Sequence, residues 1–177
     1  MFTKLKNTFQ KPLYAITDPL KDFKGENGKG IDYKKVWSPE SEKIYSVLPK
    51  RFWQDFHLTI MTIDCIIPPH TDTEILTSIN FYLRTEGCVT TFYKSKVDTP
   101  RTVQVKNQTN GHIYYEEDLI EVDSFIAKDF EVWLLDVGQI HGVKGHFELR
   151  KALTLGTFVH KYEDVLEMLK ETGNVVC

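Results

Sequence analysis

The stretch Leu76-Thr77-Ser78-Ile79-Asn80-Phe81-Tyr82-Leu83-Arg84 alternates without a break. Successive side chains of a strand point to opposite faces, so Thr77, Ile79, Phe81 and Leu83 share one face and Ser78, Asn80, Tyr82 and Arg84 the other. Similar strand-sized pieces lie on both sides. His57 to Ile67 is rich in Thr, Ile and Met and is expected to halt at Pro68-Pro69. Val89–Tyr93, Arg101–Lys106, Val132–Val137 and Glu148–Phe158 read the same way, with turns at Gly87, Asn110-Gly111 and Gly138. Many short strands at regular spacing with few helices between them predict a sandwich or barrel. The expected class is mainly β, with helices flanking the core at its N- and C-terminal sides.

Outward from the strands, Ser38-Pro39-Glu40 carries a helix-start signal, with Ser as cap, Pro at the first helical position and an acid in the first turn. A helix is expected within 36–50, ending before Pro49. Residues 1–35, with Gly25, Gly28 and Gly30 among many charges, read as an N-terminal arm or loop. In the tail, Val165, Leu166 and Leu169 have helical spacing, so 161–177 is expected to hold a helix. The expected organisation is one domain over 1–177, its β core spanning 56–160.

The 177 residues are enough to bury a sizeable core. The net charge of −3 argues against broad attraction to nucleic acid or anionic lipid. Three cysteines without a CxxC argue against a disulfide framework and suggest a cytoplasmic protein with reduced thiols. No signal-peptide pattern and no membrane-length apolar run is expected.

Three pieces carry chemistry: His70-Thr71-Asp72, His141 and Arg150. Two imidazoles and one carboxylate can occupy one face of an iron(II) ion and leave three positions open. The two-residue step from His70 to Asp72 lets both side chains point the same way from extended backbone. These residues are expected on a loop at a strand end. His141 follows a strand and the Gly138 turn, and Arg150 lies on the next strand with small face-mates Ala152, Thr154 and Gly156. A guanidinium there has room to grip an acid with two parallel hydrogen bonds. The competing bland readings are an exposed turn for His70 and Asp72, a buried histidine for His141 and a surface ion pair for Arg150. His57, His112 and His160 lack partners at ligand spacing.

In that order, His70-Thr71-Asp72, His141-Gly142-Val143 and Arg150 resemble the signature of 2-oxoglutarate- and iron(II)-dependent dioxygenases. Asp136-Val137-Gly138-Gln139-Ile140-His141-Gly142-Val143 resembles the segment that presents the second histidine in prolyl and aspartyl hydroxylase-like members. The resemblance covers about residues 57–160. It implies a double-stranded β-helix, or jelly-roll. It implies His70, Asp72 and His141 as iron ligands, with Arg150 on the distal carboxylate of 2-oxoglutarate. It implies hydroxylation of a C–H bond with O2, yielding succinate and carbon dioxide, on a peptide or small-molecule substrate, with a lean to a peptidyl proline, aspartate or asparagine. Many members carry a hydroxyl two residues after the arginine, where this chain has Ala152. Thr154 or Tyr82 is the expected substitute, with Asn80 as a further pocket residue. The Ala152 departure also keeps open a non-catalytic, cupin-like jelly-roll that binds metal.

Overall fold

A computed structural model of the chain describes residues 1–6, 31–36, 41–72, 74–104, 111–145 and 149–175. Among these residues twelve strands form two antiparallel six-stranded sheets. In chain order they are β1 (Phe2–Lys4), β2 (Ile31–Lys35), β3 (Phe56–Ile63), β4 (Ile67–Thr71), β5 (Thr77–Arg84), β6 (Val89–Ser95), β7 (Thr102–Gln104), β8 (His112–Tyr114), β9 (Leu119–Ile126), β10 (Val132–Leu135), β11 (His141–Lys144) and β12 (Arg150–Thr157). The first sheet runs β1-β10-β5-β12-β3-β2 and the second β7-β8-β4-β11-β6-β9. Among the described residues two α-helices flank them, α1 (Ser41–Tyr45) and α2 (Tyr162–Glu171). The mainly β class expected from the alternation, and the jelly-roll implied by the resemblance, are observed.

The alternation of β5 sorts its side chains between two cores. Ile79 and Phe81 join Leu58, Ile60, Leu153 and Leu155 on the outer face of the first sheet, where Ile44 and Val47 and α2 residues Val165 and Leu169 cover them. The other face of the same strands carries Met61, Tyr82 and Ala152, which meet Ile67, Phe92 and Val143 of the second sheet. Helix α2 is held by its apolar stripe, with Tyr162, Val165, Met168 and Leu169 buried.

Several local expectations are corrected. The segment read as an N-terminal arm supplies both edge strands of the first sheet, β1 beside β10 and β2 beside β3. Within the described residues helix α1 covers Ser41–Tyr45 and ends before Pro49 as expected, and an unforeseen 3-10 turn follows at Lys50–Asp55. Ser38, Pro39, the Gly25–Gly30 stretch and Asn110 lie outside the described residues. The stretch His57–Ile67 is two strands, and Pro68-Pro69 does not stop the chain: β4 runs through both prolines. Strands β8 and β9 carried no clear signal. Strand β9 buries Leu119 and Phe125 but exposes Ile120, Val122 and Ile126, because it is an edge strand whose outward face is apolar.

Candidate metal and acid-binding site

The prolines of β4 shape the site. Pro has no N–H to give to a ladder, and the pairing of β4 with β11 is irregular there. His141 faces His70, but Val143 faces Ile67, so β4 takes three steps where β11 takes two. One extra residue reverses the alternation of side chains. Ile67 and His70, an odd number of residues apart, therefore both line the same cavity between the sheets. Opposite the irregularity stands Gly142. A Cβ built on it would lie 2.9 Å from the Ile67 carbonyl oxygen and 3.3 Å from Pro69 N. Only glycine lets the two backbones approach this closely.

Beyond β4, the Asp72 N–H bonds to the Val137 carbonyl at 3.1 Å, which turns its carboxylate back toward His70. The turn preceding β11 is tied by Gln139 Nε2 donating to Asp136 Oδ2 at 2.7 Å. As a result one ligand atom from each of His70, Asp72 and His141 falls within 4.8 Å of the others. His70 Nδ1 lies 2.9 Å from the Pro68 carbonyl oxygen and His141 Nδ1 2.9 Å from the Gln139 carbonyl oxygen. A carbonyl can only accept, so both rings carry their proton on Nδ1 and leave Nε2 as a lone-pair donor. Asp72 Oδ1 is buried without a hydrogen-bond partner, with His70 Nε2 at 3.5 Å. An orphaned carboxylate oxygen beside two bare imidazole nitrogens is the donor set a divalent metal completes.

At His141 and Asp72 the electrostatics point the same way. Burial, with His70 nearby, pushes the His141 imidazole down to about 4. Burial opposes charge on Asp72, but His70 and His141 outweigh it and hold the carboxyl below its ordinary range. For His70 burial likewise opposes charge, and the Asp72 carboxylate prevails and raises the imidazole. A neutral imidazole and an ionised carboxylate are the forms that ligate.

Arg150 begins β12, opposite Ile63, and is only 2 % exposed. Its Nη2 donates to Tyr82 Oη at 2.8 Å and to Thr90 Oγ1 at 3.0 Å. Its Nε and Nη1 are buried without partners. A guanidinium so enclosed calls for an anion. The cavity that Arg150, Tyr82, Thr90 and the triad line has a volume of about 350 Å³, within the usual range of small-molecule pockets.

The other expected residues are distributed as follows. Tyr82 touches the guanidinium directly. Thr154 faces the same cavity but lies four residues along β12, roughly 13 Å away at the strand rise, and its hydroxyl is 2.6 Å from that of Thr59. Asn80 is 5 % exposed and accepts from Ser78 Oγ at 2.7 Å. His160 instead pairs with Asp55 at 2.8 Å, and His146 lies outside the described residues.

Sequence reasoning missed Thr90 and Tyr33. Thr90 sits in β6, and its role follows only from the meeting of the two sheets. Tyr33 lines the cavity from β2, where burial and the Asp72 carboxylate push its phenol up against the opposing effect of Arg150. The Tyr33 phenol thus stays protonated. No spacing signal marked it, since β2 itself was not legible.

No protein-family model matches the sequence, and no curated protein matches it. Among solved structures, HygX from Streptomyces hygroscopicus with nickel and 2-oxoglutarate bound is similar at 12 % identity and a TM-score of 0.52, over 91 % of this chain and 84 % of that one. SnoN, a non-heme alpha ketoglutarate dependent epimerase from nogalamycin biosynthesis, is similar at 10 % identity and a TM-score of 0.52, over 89 % and 78 %. At these identities the likeness establishes the fold class, a double-sheet β architecture shared with these proteins.

Proposed function

We propose that the chain is a non-haem iron(II)- and 2-oxoglutarate-dependent oxygenase that hydroxylates an unactivated C–H bond. One observation carries this reading: a buried facial set of two Nε2 atoms and an orphaned carboxylate oxygen shares a cavity with a buried guanidinium that has two unpaired nitrogens. The same architecture accommodates HygX with nickel and 2-oxoglutarate bound, and SnoN with Fe3+ and alpha ketoglutarate.

His70, Asp72 and His141 would hold the iron, and Arg150 the distal carboxylate of 2-oxoglutarate. Bound iron(II) supplies open coordination positions and redox chemistry toward O2. The chain's own groups do the rest. The Pro68 and Gln139 carbonyls fix both imidazoles in the tautomer that ligates. Tyr82 and Thr90 accept from Nη2 and fix the guanidinium, whose Nε and Nη1 are buried without partners beside the cavity that Arg150 lines. Tyr82 thereby takes the place of the hydroxyl that Ala152 cannot provide. Ile63, Ile67 and Val143 line the cavity around these groups and keep water from the acid.

The reading is tested by supplying iron(II), ascorbate and 2-oxoglutarate and measuring succinate. Neither succinate nor metal-dependent binding of 2-oxoglutarate would overturn it in favour of a metal-binding jelly-roll without catalysis. Because SnoN is an epimerase, hydroxylation itself is tested by a product mass increased by one oxygen atom. A peptidyl proline, aspartate or asparagine as substrate is supported by the Asp136–Val143 segment alone, and a panel of such peptides tests it.

A further inference from the structure

The cavity has a second basic end. Along β3 and β12 it runs from Arg150 and Ile63 to His57, Gly156 and Phe158. Lys35, at the end of β2, stands opposite Thr59. His57 is two residues further along β3 on the same face, a diagonal neighbour at roughly 7–8 Å between Cα atoms, within reach of long side chains. Phe158 lies beside it, the two ring centroids 5.1 Å apart. Lys35 and His57 are both exposed, and Phe158 is 45 % exposed. Among the described residues neither the Lys35 nor the His57 side chain makes a hydrogen bond or ion pair. The deeper polar groups between the two ends are already engaged with each other, Ser78 with Asn80 and Thr59 with Thr154. Glu74, the acid on this rim, belongs to the segment leading into β5, where the Leu76 N–H bonds to the Thr157 carbonyl. Strands β12 and β3 separate that segment from β2, so Glu74 makes no ion pair with Lys35.

We propose that Lys35 and His57 form an acid-binding subsite for the substrate, whose carboxylate or phosphate they hold while its planar, apolar skeleton lies against Phe158. The subsite deepens the oxygenase reading and rests on it for the role of the triad. An ammonium and an imidazole N–H can both donate to one anion, and an exposed aromatic face beside them favours an unsaturated or aromatic acid over a compact one. With Arg150 at the opposite end, two acids can bind at once, one at either end of the cavity.

The test uses the full chain loaded with manganese and 2-oxoglutarate. Benzoate and phenyl phosphate are titrated by calorimetry, with methyl benzoate as the neutral control. Benzoate reports a carboxylate source and phenyl phosphate a phosphate source. At least one acid is expected to bind, methyl benzoate is not, and Lys35→Met/His57→Gln should weaken that acid about tenfold or more, the loss expected for charge-assisted hydrogen bonds. Binding of 2-oxoglutarate should be unchanged in the same variant. Should the double variant fail to fold, as judged by its melting curve, Lys35→Glu alone is used with the same expectation. The proposal is overturned if neither acid binds, if the substitutions leave acid affinity unchanged, or if the acid is lost only in Arg150→Met. If both acids fail while 2-oxoglutarate is still consumed, the subsite falls and the oxygenase reading stands. If acids bind at Lys35 and His57 but 2-oxoglutarate never does, the oxygenase reading falls instead.

Discussion

His70 and His141 stand directly opposite one another across β4 and β11, with ring centroids 4.3 Å apart. Residues far apart in sequence are thus set by one strand register at the spacing a metal requires. The register depends in turn on the irregularity at Pro68-Pro69 and on Gly142 opposite it.

Gly142→Ala tests that dependence. The added methyl would meet the Ile67 carbonyl and the Pro68–Pro69 backbone, which cannot swing aside as a side chain can. We expect a loss of about 1–3 kcal/mol in stability together with weaker manganese binding. Denaturant unfolding and metal titration measure the two effects. A variant of unchanged stability and metal affinity would show that β4 and β11 have slack.

Removing a ligand should act on the metal far more than on the fold. Asp72→Ala and His141→Ala are each expected to lower manganese affinity by more than the roughly 10–100-fold that loss of a supporting partner costs. Asp72→Ala also removes a buried, unpartnered oxygen, so the metal-free protein should be no less stable than the parent. Metal titration beside a melting curve of the metal-free protein gives both numbers. Retained affinity would remove Asp72 from the ligand set.

The acid-binding end separates the guanidinium from the groups that hold it. Arg150→Met is expected to abolish measurable 2-oxoglutarate binding while manganese still binds. Tyr82→Phe removes one hydrogen bond to Nη2 and leaves the bond to Thr90, so a loss of about tenfold in 2-oxoglutarate affinity is expected. Equal losses in the two variants would mean that Tyr82 contacts the acid itself. Loss of metal in Arg150→Met would make Arg150 a structural residue.

The outer core should be separable from the site. Leu153 is fully buried between the first sheet and the helices, on the face away from the cavity. Leu153→Ala should destabilise the protein by about 2–5 kcal/mol and leave manganese affinity of the folded protein unchanged. A parallel fall in metal affinity would show that the outer core also sets the inner face of β12.

Much of this was legible locally. The period-two pattern of Leu76–Arg84 placed Ile79 and Phe81 against one core and Asn80 and Tyr82 against the cavity, because the pleat alone dictates that separation. The order of His70, Asp72, His141 and Arg150 named residues that the structure brings together on one cavity. The edge strands β1 and β2 were not legible. Phe2–Lys4 is too short to show a period, and Ile31–Lys35 is mostly polar in a charged stretch, so their places depend on the partners β10 and β3 offer.

By itself, the sequence determined which faces are apolar and which residue types can hold a metal and an acid, since these follow from side-chain chemistry and local periodicity. Tertiary structure alone decided three things. The extra residue in β4 turns His70 toward His141, in a strand that continues through the two prolines expected to end one. Tyr82 and Thr90, from different sheets, converge on Arg150, whereas Thr154 engages Thr59. Lys35 reaches the cavity mouth from a segment without a pattern of its own. Each depends on register between strands distant in the chain, and register is set by packing and backbone pairing that no local window contains.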